Sequence, residues 1–274
     1  MNEINKFILL SFVLISIGLK GQDFTPETYW QEVNFHDRSL VSSKTFSDKM
    51  VDFLYQYTCC DEETFDSLSI SGVGMILEKA KANMKVYEYT LEFLLDGYNA
   101  MGKSQVVDYL LTYPMLFEGE ISMEEGRRLD SITEPYQKVK VGAQAPDFNG
   151  VTIDGDSYRL YDSKAKNIIV VFWSTDCEYC HDFLKAIRKH LNLKSDYELV
   201  TFALADSQEE VTEAVKDLRL RGYHFYDPMR WESRSFLDYH VTSTPTVFVL
   251  DENKMIVCKP YDWKDLKEWL RNKK

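Results

Sequence analysis

Apolar positions along this chain change their spacing near its middle. In the first part they recur every three or four residues, as one buried face of an α-helix requires. Phe46, Met50, Phe53, Leu54 and Tyr57 make one such stripe, and Val73, Ile76, Leu77, Ala80 and Met84 a looser second. Tyr87, Leu91, Leu94, Leu95 and Tyr98 make a third, and Val107, Leu110 and Leu111 carry the pattern to a break at Pro114. These aromatic and methionine stripes read as helix core, with no sign of a cofactor box. Ahead of them lies an irregular stretch anchored by Trp30, Val33 and Phe35. No repeat is clean enough to call a solenoid.

Further on, short apolar runs replace the stripes. The stretch 132–140, containing Pro135, reads as a linker. Val151-Thr152-Ile153 and Tyr158-Arg159-Leu160 flank Asp154-Gly155, which predicts a hairpin. Runs at 168–173, 199–204, 246–250 and 255–258 predict strands. Helical spacing at 180–193, 208–221, 231–239 and 262–271 predicts helices between and after them. Alternating strands and helices point to an α/β domain behind a mostly α-helical one.

Composition is consistent with two domains. At 274 residues the chain exceeds one average domain, and 45% hydrophobic residues can fill a sizeable core. A net charge of −12 argues against nucleic acid and anionic membrane surfaces as partners. Lys6, the apolar run 7–19 and Lys20-Gly21-Gln22 read as a signal peptide over 1–21, with cleavage expected between Gly21 and Gln22 and an uncleaved membrane anchor as the alternative. That run is short for a membrane span. The division expected is therefore 1–21 signal peptide, 22–134 helical domain and 135–274 α/β domain. Export to the periplasm or cell envelope implies an oxidising compartment, where a working dithiol needs an external electron donor.

Five cysteines, Cys59, Cys60, Cys177, Cys180 and Cys258, do not make a disulfide scaffold. Cys59 and Cys60 are neighbours and read as structural residues at a helix end; Cys258 reads as a buried strand residue. Cys177 and Cys180 differ. The run Ile168 to Trp173 reads as a strand buried on both faces, a short polar turn follows, and Phe183, Leu184, Ile187 and Leu191 then fall on one helical face. Cys177 thus sits where a strand hands over to a helix, at the positive end of the helix dipole, a position that favours a thiolate. A dithiol at such a turn can close a small disulfide and open it again by exchange.

At these residues the sequence resembles a known family. Phe172-Trp173-Ser174-Thr175-Asp176-Cys177-Glu178-Tyr179-Cys180 is similar to the active-site segment of thioredoxin-fold proteins, the TlpA/ResA-like envelope branch with its AhpC/TSA-type domain above all. Val141-Gly142-Ala143-Gln144-Ala145-Pro146-Asp147-Phe148 resembles that family's entry motif, and Thr244-Pro245-Thr246 its cis-proline loop. The resemblance covers residues 139–274, and the helical part resembles a domain of unknown function that precedes such modules. It implies an α/β thioredoxin fold and a thiol–disulfide oxidoreductase acting on protein disulfides. Cys177 would then be the attacking sulfur, Cys180 the resolving one, and Pro245 the cis-proline facing them. Trp173 and Thr244 would contact substrate, with no cofactor and no metal.

The sequence departs from the family's pattern at several positions. Asp176 stands where a Trp is common, Glu178-Tyr179 replaces the usual second-position proline, and Val171 fills the place of the buried carboxylate of cytoplasmic thioredoxins. No general base for the resolving thiol is assigned; Asp182 and Glu178 are candidates that read equally as solvated acids. Cys177 to His181 also fits the C-x-x-C-H haem-attachment pattern. Haem needs a surrounding pocket and usually a second axial ligand. Zinc finds no second ligand pair with suitable spacing. Thr175 lies two residues before Cys177, not in the Thr-x-x-Cys arrangement of peroxiredoxins. The alternative to an enzyme is a non-catalytic envelope protein whose helical domain binds a partner.

Overall fold

The structure, a computed structural model, describes residues 25–58, 60–113, 121–191 and 196–272. The expected signal peptide, Cys59 and the break at Pro114 lie outside them. Contacts divide the chain into two compact units, Met1–Leu91 and Glu92–Lys274. Composition divides it elsewhere, near residue 134, where helix gives way to strand.

The first unit is helical. After a single turn, α1 (Pro26–Tyr29), come α2 (Lys44–Tyr55), α3 (Glu62–Ala80) and the start of α4 (Met84–Ala100). Ser43 and Asp61 cap α2 and α3 by accepting from the backbone N–H groups of Phe46 and Thr64. Such caps satisfy donors that have no partner within the helix, and each is worth about 1 kcal/mol. The predicted stripes are buried: Met50, Phe53, Val73, Ile76 and Leu77 have no exposed surface. Trp30 packs against Phe53 and Phe46 with ring centroids 5.3 and 6.1 Å apart. Gly72 lets α3 approach this cluster, since a Cβ there would lie 2.9 Å from the Phe53 ring.

The second unit opens with the rest of α4, then α5 (Ser104–Thr112) and α6 (Met123–Lys138). Helix α6 corrects the linker expected over 132–140. Ser122 and Glu125 form a complete capping box at its start, and Leu129, Thr133 and Tyr136 are buried along one face. Pro135 sits inside the helix, where its missing N–H and its ring cost about 3 kcal/mol. Buried Tyr136 offsets this: its hydroxyl donates to Asp96 at 2.6 Å, and its ring meets that of His240 at 4.3 Å.

Beyond α6 the chain forms a small hairpin, β1 (Asn149–Val151) and β2 (Ser157–Arg159), and then a five-stranded sheet. Its strands are β3 (Asn167–Ser174), β4 (Tyr197–Leu204), β5 (Tyr223–Tyr226), β6 (Thr246–Asp251) and β7 (Ile256–Cys258), in spatial order β5-β4-β3-β6-β7. Strands β3, β4 and β5 are parallel; β6 runs antiparallel to β3, and β7 antiparallel to β6. Helices α7 (Glu178–Leu191), α8 (Gln208–Leu218), the short α9 (Arg234–Asp238) and α10 (Trp263–Asn272) complete the unit. This is the α/β thioredoxin-like fold, preceded by a helical region.

Central β3 belongs to two cores at once. Ile168, Val170 and Phe172 enter one buried cluster; Ile169, Val171 and Trp173 enter the other, with Cys180, Phe183, Leu184 and Leu266. This is the two-sided burial that its continuous apolar run predicts. Strand β5 was not foreseen. It is a four-residue edge strand whose entry needs Gly222, at φ +143, where a Cβ would lie 2.1 Å from the Leu199 carbonyl oxygen.

Candidate active site

The site lies at one end of the sheet. Phe172 pairs with Thr246 and Ser174 with Leu204. The turn after β3, the loop before β6 and the loop after β4 therefore emerge together. The first carries Cys177, the second carries Thr244 and Pro245, and the third leads into α8.

Cys177 and Cys180 form a disulfide, with Cα atoms 5.2 Å apart. Cys177 is half-buried, whereas Cys180 has no exposed surface. This asymmetry follows from the start of α7: Cys180 is on the face that carries Phe183, Leu184 and Ile187, all buried, and Cys177 stands just ahead of the helix. The Cys180 N–H donates to Cys177 Sγ at 3.0 Å. In the reduced protein that donor and the helix dipole would both favour a thiolate on Cys177.

The Thr244–Pro245 peptide is cis, and both residues are half-buried. The loop before them is fixed by the entry motif and by α6. Tyr239 donates its hydroxyl to the Pro146 carbonyl at 2.8 Å, and His240 meets the Tyr136 ring. The entry motif is in turn laced to the sheet edge, with Gly142 N–H on Ile256 O, Ile256 N–H on Ala143 O, and Ala145 N–H on Lys254 O.

Trp173, expected to contact substrate, is fully buried in the apolar cluster that holds Cys180. As the last inward-facing residue of β3 on that side it forms a floor beneath the pair, not a docking surface. The acid candidates for a general base are exposed, whereas the resolving sulfur is buried. Asp182 is exposed and pairs with Lys185 at 3.0 Å, and Glu178 is exposed. Val171, in the place of the family's buried carboxylate, is fully buried. Cys258 is half-buried on β7, and burial pushes its thiol up to about 12.

Sequence reasoning missed one pair. The Thr175 hydroxyl hydrogen-bonds to the Glu210 carboxylate near the start of α8. The Ser207-x-x-Glu210 pattern signals a helix start but gives no hint of a partner 35 residues away.

The thioredoxin-like pattern seen here recurs in known proteins. The model of the AhpC/TSA family matches residues 141–259. A thioredoxin-like protein of Bacillus subtilis, YneN, is 31% identical over 137 residues, spanning 46% of this chain and 76% of that protein. The chain belongs to the thioredoxin-like AhpC/TSA family. Another relative in that family, the thiol-disulfide oxidoreductase ResA of Bacillus cereus, is 25% identical over 45% of this chain and 70% of its own length. A thioredoxin-like protein from Bacteroides caccae is 16% identical and superposes with a TM-score of 0.61, covering 96% of this chain and 100% of its own. That likeness concerns the fold alone, and it includes the helical region. Among the described residues no helix is long and apolar enough to cross a membrane.

Proposed function

We propose that this chain, an oxidoreductase by family, reduces protein disulfides in the cell envelope through Cys177 and Cys180. The observation that carries this reading is the unequal exposure of the two bonded sulfurs. Only Cys177 can be reached from outside, so Cys177 attacks. Its thiolate displaces one sulfur of a substrate disulfide, which leaves as a thiolate and takes up a proton. The Cys180 thiol, losing its proton, then attacks the Cys177 sulfur of the mixed disulfide and expels the second substrate thiol. Two electrons and two protons pass from the dithiol to the substrate, and an envelope donor must restore them. Half-buried Thr244 and Pro245, beside the exit of β3, offer the backbone against which an extended substrate segment would lie.

Burial of Cys180 also weighs against a haem linkage, which needs both sulfurs on one porphyrin edge. The export expectation rests on the apolar run 7–19. Reduction of insulin disulfides by the purified protein tests the activity. Substrates captured on a Cys180→Ser variant as mixed disulfides with Cys177 would identify the partners. No reduction and no capture would leave the non-catalytic reading in its place.

A further inference from the structure

The turn that presents Cys177 is tied sideways to the helix after the next strand. Thr175 donates its N–H to the Leu204 carbonyl at 3.1 Å, and its hydroxyl lies between that carbonyl, 3.3 Å away, and one oxygen of Glu210. The other Glu210 oxygen accepts the Asp206 N–H at 3.1 Å, and the Glu210 N–H donates to Ser207 Oγ at 3.2 Å. The carboxylate is thus held from both sides at the start of α8. Its bond to Thr175, then that to Asp206, lower its pKa, and Arg230 adds to this. Arg230 is itself paired with Asp206.

We propose that Glu210 is a positioning residue for the dithiol: through Thr175 it holds the turn from which Cys177 attacks, and its charge disfavours the Cys177 thiolate. The inference rests on the disulfide-exchange reading above. One residue, Asp176, separates Thr175 from Cys177, which holds their Cα atoms within about 7 Å of each other and sets the carboxylate on the order of 10 Å from the sulfur. A single charge at that range shifts an ionisation by about three- to tenfold near a protein surface. Asp206 and Arg230 face Glu210 from the neighbouring loops. Around Cys177 stand Asp176, Glu178 and His181, while Tyr261, Asp262 and Asp265 lie near Tyr179 from the α10 side. None of these is altered by the variants below.

Glutamine can replace Glu210 with both links kept. Its carbonyl accepts the Asp206 N–H, and its amide donates to Thr175, whose hydroxyl turns its proton to Leu204. Glu210→Gln therefore removes charge and little else, whereas Thr175→Val removes the link and leaves the charge. Alkylation of reduced Glu210→Gln should give a Cys177 titration moved to lower pH, with about three- to tenfold faster labelling below the parent's midpoint. Its redox midpoint against glutathione should be less negative than the parent's. Thr175→Val should slow insulin reduction several-fold, and Thr175→Ser should restore it. A Glu210→Gln titration and midpoint equal to the parent's would overturn the charge effect, and parental rates for Thr175→Val would overturn the positioning. Alkylation and glutathione equilibration need no protein substrate. Normal values there in a protein that reduces nothing would therefore count against the proposed function and not against Glu210.

Discussion

Tyr239 and Pro146 are 93 residues apart in sequence and joined by a 2.8 Å hydrogen bond from the tyrosine hydroxyl to the proline carbonyl. Tyr239 has only 1% of its surface exposed, so its ring is fixed in the core and the hydroxyl is held on the carbonyl. The bond connects the entry motif to the chain six residues before Pro245. Tyr239→Phe should therefore cost about 1–2 kcal/mol, measured by urea unfolding. It should also lower insulin-reduction activity beyond any loss of folded protein. Activity per folded molecule equal to the parent's would mean that the bond serves stability alone.

Labelling of the reduced protein at pH 8 should separate the thiols. Cys177 should react with iodoacetamide first, Cys180 slowly because it is buried, and Cys258 hardly at all, since burial holds its pKa near about 12. Peptide mapping by mass spectrometry reads the order. Faster modification of Cys180 than Cys177 would reverse the assigned roles.

Electron flow should favour reduction of substrate. The start of α7 and the Cys180 N–H stabilise a Cys177 thiolate by about 0.3–1 kcal/mol for an exposed site. Exposed Asp176 and Glu178 on either side oppose it. The midpoint should fall near that of thioredoxin, about −270 mV, and a value near that of DsbA, about −120 mV, would make the chain an oxidant instead.

Acid should destabilise the fold through two histidines. Burial lowers both His224 and His240 from the ordinary value of 6.5 to about 4. The folded state then binds fewer protons than the unfolded chain between pH 6.5 and 4, so the stabilisation is complete above that window and is lost as pH falls through it. Each could account for up to about 3 kcal/mol. His224 also bonds Thr201 at 2.9 Å, a contact that glutamine can keep. His224→Gln should flatten part of the decline in unfolding free energy across this window. An unchanged slope would show that His224 does not contribute to it.

Much of the second unit was legible because its signals are local. The run Ile168 to Trp173 declared a two-sided strand, and the Cys-x-x-Cys spacing after it marked the candidate site. What stayed hidden depends on partners distant in sequence. Helix α6 was masked by Pro135, whose cost is outweighed by Tyr136 reaching Asp96 and His240. Strand β5 is short and owes its place to Gly222 clearing Leu199. Trp173 was expected from the resemblance to contact substrate, yet its place in the two-sided strand puts it in the core. The Thr175–Glu210 bond left no mark in either segment.

The two-sided burial of β3 also bears on which parts of the molecule can open. Its backbone is hydrogen-bonded to β4 on one edge and β6 on the other, and its side chains from Ile168 to Trp173 have no exposed surface. Amide protons of Val170 and Val171 should then exchange with deuterium only when the whole domain unfolds, making this strand the last protected segment. A few residues further on, Asp176 is exposed and donates its N–H to Ser174 Oγ at a long 3.4 Å. Protection should therefore fall within a handful of residues, so that the turn carrying Cys177 can open locally while the strand that supports it opens only with the whole domain.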